Sequence, residues 1–131
     1  MPEVNYLAVI VAAVSSFLVG GLWYSPVLFG NTWQRAAGDV RKKGDAHPAK
    51  VFGVSFVFAL VAAYAYAVLM PLPASATDAA LQGAAVGVGI VAASFGINYQ
   101  FANRPAVMWY IDGGYHTVQF ALYGLIIGLW R

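Results

Sequence analysis

The sequence predicts an all-α polytopic membrane protein, four transmembrane helices in a compact bundle forming a single domain over residues 1–131. Three observations predict it. Of the 131 residues, 61% are hydrophobic and 9% charged, whereas soluble domains are roughly 45–50% apolar and about 25% charged. The few charges divide the chain into runs 4–34, 51–77, 79–103 and 113–130, which contain no Asp, Glu, Lys or Arg. Crossing a bilayer takes about 20 mostly apolar residues, and each run supplies one such helix, the last by starting near Trp109 and taking Asp112 inside. Prolines and aromatic residues then fall at the edges of the runs, where helices end and ring side chains favour the membrane–water boundary.

The first span covers residues 4–25 and stops at Pro26, whose ring disfavours helical geometry at Ser25. It begins beside Glu3 rather than a basic start and leads into Trp23-Tyr24-Ser25-Pro26 rather than a small-residue cleavage site, so it is read as retained. Trp23, Tyr24, Trp33, Trp109 and Tyr110 are read as interfacial anchors. Residues 26–50 form a basic loop with Arg35, Arg41, Lys42, Lys43 and Lys50 against Asp39 and Asp45. Such a short positive loop belongs in the cytoplasm. The second span, residues 51–70, ends at Pro71 and Pro73, and the short link to Asp78 has no Lys or Arg. In the third span, residues 79–101, Gly83 and Gly87 make a GxxxG pair that lets backbones approach closely. The loop with Arg104-Pro105 returns the chain to the fourth span, residues 109–130. With Arg104 and the basic loop on the cytoplasmic side, both termini are placed on the periplasmic side.

The fourth span carries the chemistry. At about 100° per residue, Asp112, His116, Gln119 and Tyr123 stack into one polar stripe, with Tyr115 beside it. Gly113, Thr117, Ala121, Gly124 and Gly128 form a stripe of small residues, and Leu122, Leu125, Ile126 and Leu129 suit lipid. Ionisable groups inside a span are costly and mark a functional site by default. Asp112 is a candidate to pair with Arg104 or to orient the imidazole of His116, whose unperturbed pKa suits proton uptake and release. Tyr24, Asn98, Tyr99 and Arg104 end neighbouring spans on the same side and complete the candidate ligand- or proton-binding set.

Other chemistries find less support. A closed metal site takes about four ligands, and the one other histidine, His47, lies in the basic loop, so no metal is expected. The absence of cysteine removes thiolate chemistry. The net charge of +2 is concentrated in one loop and reports orientation rather than nucleic-acid binding. No nucleophile–base–orienter set and no phosphate-binding glycine loop is present, so neither an enzyme nor a cofactor is expected.

Trp23-Tyr24-Ser25-Pro26 with Leu28-Phe29-Gly30 and Trp33, Asn98-Tyr99 with Phe101 and Arg104, and Ile111-Asp112-Gly113-Gly114-Tyr115-His116 followed by Gly128 to Arg131 together resemble domain-of-unknown-function family 1761. The resemblance covers nearly the whole chain. It implies a small four-helix membrane protein of bacterial type, in the inner (cytoplasmic) membrane, and supplies no activity. Two functions are therefore carried forward from the residues. One is a small proton- or ion-linked transporter or channel-like protein, working as a homo-oligomer through its glycine-rich helix faces, with Asp112 and His116 binding a proton, ion or small polar solute. The alternative is a non-transporting membrane module that binds a lipid, an amphipathic small molecule or a membrane-protein partner at the cytoplasmic leaflet.

Overall fold

A computed structural model of the chain describes residues 3–38 and 47–130, and among these there are helices and no strand. The helices are α1 (Tyr6–Trp23), α2 (Gly30–Ala37), α3 (Pro48–Leu69), α4 (Ala76–Val86), α5 (Ala93–Phe101) and α6 (Ala106–Leu129), and a π-helical segment, Gly87–Ala92, joins α4 to α5 without a break. Asp39, Arg41, Lys42, Lys43, Asp45 and Arg131, on which part of the orientation argument rests, lie outside the described residues.

α1, α3 and α4 each open where a side chain takes up a free backbone N–H, whereas α6 starts after Pro105 without such a cap. Asn5 Oδ1 accepts from the Ala8 N–H at 3.2 Å, His47 Nδ1 from the Ala49 N–H at 3.0 Å ahead of Pro48, and Ser75 Oγ from the Asp78 N–H at 3.1 Å. Asn5 also donates through Nδ2 to the Trp130 carbonyl at 2.8 Å, tying the start of α1 to the end of α6. Between α5 and α6 the chain reverses through Asn103, which takes the left-handed conformation (φ 56°) that Asn tolerates better than most residues.

Among the described residues three helices are long and apolar enough to cross a membrane: α1, α3 and the continuous Ala76–Phe101 rod. Their outer faces carry large exposed apolar side chains, among them Leu18, Leu22, Phe58, Val61 and Ile90. α6 has 24 residues, enough length, but Asp112, His116 and Gln119 lower its hydropathy, and it falls outside that set. Its position explains how those groups are tolerated. α6 packs against every other described helix, and Asp112, Gln119 and Tyr123 on its polar stripe are buried in protein rather than exposed.

The closest packing is glycine against backbone. A Cβ on Gly83 would sit 1.9 Å from the Phe120 carbonyl oxygen, and one on Gly124 would sit 2.1 Å from that of Ala79. No side chain fits there, so α4 and α6 touch main chain to main chain, as GxxxG faces permit. The glycine faces that the sequence reading assigns to assembly between subunits are thus occupied inside one chain. On the other side of α6, Ala8 and Ala12 of α1 and Ala63 and Ala67 of α3 leave room for Phe120 and Tyr123, which meet the Tyr66 ring at 6.2 and 6.4 Å between centroids.

The basic loop contains a helix that the sequence reading leaves as loop. After α1 the chain doubles back: the Phe29 N–H donates to the Trp23 carbonyl at 3.0 Å and the Gly30 N–H to the Ser25 carbonyl at 2.9 Å. A Cβ on Gly30 would lie 2.2 Å from the Tyr24 carbonyl oxygen, so only glycine allows this turn. α2 is thereby folded against the start of α6.

Candidate functional site

Asp112 is 6% exposed, and both of its carboxylate oxygens are engaged by neutral donors from three other elements. Oδ1 accepts from the Tyr24 hydroxyl at the end of α1; Oδ2 accepts from the Tyr99 hydroxyl of α5 and, at 3.2 Å, from the indole Nε1 of Trp33 on α2. Hydrogen bonds to a charged group are stronger than neutral ones, and three of them offset much of what burying a carboxylate costs. The Gly30 turn brings Trp33 into place, and the backbone bond from the Arg104 N–H to the Tyr99 carbonyl, at 2.9 Å, closes the end of α5 behind Tyr99.

The paired glycines after Asp112 fit the closure of this cage. They lie within an unbroken helix, which decides between close approach and an unwound turn. A Cβ on Gly113 would meet the Ala92 side chain at 3.2 Å, and one on Gly114 would meet the Trp23 ring at 3.0 Å. Their bareness lets the π-helical segment and Trp23 close on the two flanks of the Asp112 turn. The indoles act as clamps: Trp23 Nε1 donates to the Ile111 carbonyl at 2.9 Å and Trp109 Nε1 to the Ala92 carbonyl at 2.7 Å, the latter at the end of the π-helical segment. Trp23, Tyr24, Trp33 and Trp109 are therefore joints between helices. Tyr110, 68% exposed, keeps a position suited to an anchor.

One turn further, His116 belongs to a different network. Its Nδ1 lies 2.5 Å from Gln119 Oε1, Gln119 Nε2 donates to the Tyr123 hydroxyl at 2.8 Å, and Tyr123 donates to the Ala59 carbonyl of α3 at 3.2 Å. The imidazole stacks on Phe95 with centroids 4.9 Å apart. Gln119, not Asp112, orients the ring, so the expected acid–imidazole pair is two separate arrangements sharing one helix. Tyr115 donates to the Ser16 carbonyl at 2.9 Å and joins α6 to α1.

His116 and Gln119 line a cleft of about 480 Å³ between α1, α3 and α6. Phe17, Phe58, Tyr115 and Phe120 supply aromatic walls, and Ser55 and Phe58 of α3 are exposed on the outer surface, so the cleft opens sideways. It is an open groove rather than an enclosed cavity, and a second groove of about 440 Å³ runs between Trp23, Phe29 and Thr32 on one side and Val107, Tyr110 and Ile111 on the other.

Of the residues that the sequence reading groups together, Tyr24, Tyr99 and Asp112 meet in the cage, while Tyr115, His116 and Gln119 meet in the cleft wall. Asn98 is exposed on α5, facing away from both, and Arg104 makes no ion pair with Asp112 among the described residues. Trp33 is the cage member absent from that reading. Its signal was present as Trp33, Ala36 and Ala37 at helical spacing inside an otherwise polar stretch.

These features define a small helical protein with a central polar helix, a caged carboxylate and a lateral cleft. The chain belongs to the family described as Protein of unknown function (DUF1761), whose model matches residues 7–128. No curated protein and no solved structure matches it.

Proposed function

We propose that the protein is a non-transporting membrane module whose lateral cleft takes an amphipathic small molecule from the bilayer. In this reading α6 is the fourth span, shielded by α1, α3 and the α4–α5 rod. The observation that carries the reading is the division of labour on α6. Asp112 is spent on protein donors, whereas His116 and Gln119 face a cleft open toward the outer apolar surface. Tyr24, Trp33 and Tyr99 hold the carboxylate from three other elements, so turning it toward an ion or proton pathway breaks the joint of α1, α2 and α5. A sideways opening between apolar helix faces admits molecules dissolved in lipid rather than solutes from water.

Native mass spectrometry of the full chain released from nanodiscs tests this, using a long-chain alcohol such as hexadecanol as the probe. Retention of one probe molecule per chain, lost when Ala62→Trp fills the cleft, is the expected result. Equal retention by the Ala62→Trp variant contradicts it, as does probe-independent ion flux in vesicles that disappears in His116→Ala.

A further inference from the structure

The direction of the hydrogen bonds along α6 specifies what the cleft can accept. Tyr123 has one hydroxyl proton, directed to the Ala59 carbonyl at 3.2 Å or to Ser16 Oγ at 3.5 Å, Ser16 giving its own proton to the Ala13 carbonyl. Its oxygen therefore receives the Gln119 amide N–H at 2.8 Å, which fixes the amide with Oε1 toward His116. Gln119 Oε1 can only accept, so the proton of a neutral imidazole sits on Nδ1. The other ring nitrogen, Nε2, carries a lone pair and has no partner among the described residues. His116 thus presents the cleft with an acceptor.

Depth and shape narrow the class further. His116 lies seven residues past Trp109, where the fourth span begins, and at about 1.5 Å per residue that places it about 10 Å inside a hydrocarbon core of about 30 Å. A charged headgroup is costly at that level. The walls are rings: Phe17, Phe58, Tyr115 and Phe120 line the cleft, and Phe95 stacks behind the imidazole.

We propose that the cleft is a site for lipid-soluble phenols, whose hydroxyl donates to His116 Nε2 while the ring packs among the aromatic walls. The inference rests on the amphiphile-binding reading and adds the donor requirement. A carbonyl-only ring or a phenol ether presents no proton and leaves the Nε2 lone pair unmet. A site built to pair a buried polar group discriminates strongly against the analogue that lacks the partner.

The test compares 4-nonylphenol with its O-methyl ether, binding to the full chain in phosphatidylcholine nanodiscs, corrected for partitioning and read by titration of 15N-labelled histidine resonances. His47, in the loop, serves as internal control. The expected result is that the phenol binds at least about tenfold more tightly than the ether and moves the His116 Nε2 resonance but not those of His47. Tyr123→Phe, which releases the constraint on the Gln119 amide, is expected to bring the two affinities within about threefold of each other while the fold is retained. Equal affinities in the unaltered chain, or phenol binding that leaves the Nε2 resonance in place, overturn the phenol assignment. If hexadecanol is still retained and lost in Ala62→Trp, the broader reading survives that failure; if nothing is retained, both fall.

Discussion

Asp112 and His116 stand one turn apart on the same helix, yet one is surrounded by donors and the other is half free. Tyr24, Tyr99 and Trp33 close on the carboxylate from three elements. The imidazole has one ring nitrogen held by Gln119 and a cleft beside it. An ionisable group buried in a helix bundle is therefore not in itself a binding site. What separates structural from functional burial is whether the donors and acceptors around the group are already complete.

The comparison breaks most visibly at the cage. Asp112→Ala leaves Tyr24, Tyr99 and Trp33 without their acceptor in a buried setting, and a loss of about 3 kcal/mol or more is expected, measured by steric-trap unfolding in bicelles. Asp112→Asn keeps one acceptor oxygen and should cost roughly half as much. Next comes Gly83→Ala, which pushes a methyl against the Phe120 carbonyl; about 2 kcal/mol of destabilisation is expected in the same assay. Trp33→Phe removes one donor at 3.2 Å and should cost about 1 kcal/mol, with faster proteolysis of the segment holding α2. His116→Phe sharpens the contrast from the other side. The ring still stacks on Phe95, so less than about 1 kcal/mol of stability is expected to go, while probe retention in the cleft falls at least tenfold.

Sequence made the helices legible because charge-free runs and prolines bound them closely: residues 4–25, 51–70, 79–101 and 109–130 were expected, and Tyr6–Trp23, Pro48–Leu69, Ala76–Phe101 and Ala106–Leu129 are found. The stripe through Asp112, His116, Gln119 and Tyr123 also follows from helical periodicity alone, with Asp112, Gln119 and Tyr123 buried in protein. What periodicity does not give is the partner on another helix. Tyr99 and Asn98 are adjacent in the chain, but only Tyr99 turns toward Asp112, and a difference of about 100° on one helix decides it. Trp33 was hidden for another reason. The helical spacing of Trp33, Ala36 and Ala37 marks a short helix but not where Gly30 folds it, and an indole near a span end reads as a boundary anchor until its N–H is seen to point at Asp112. The Gly83–Gly87 pair was correctly read as a close-approach face, but sequence alone does not distinguish a neighbour in the same chain from one in another.

The central claim is that Asp112 belongs to the scaffold and His116 to the cleft, and the shift in unfolding temperature caused by 4-nonylphenol in nanodiscs tests it most directly. A molecule that binds only the folded state raises that temperature in proportion to its occupancy. The account predicts that Asp112→Asn lowers the starting temperature but keeps the full shift, and that His116→Phe keeps the starting temperature but loses the shift. The reverse pattern, with the shift lost in Asp112→Asn and intact in His116→Phe, would contradict it.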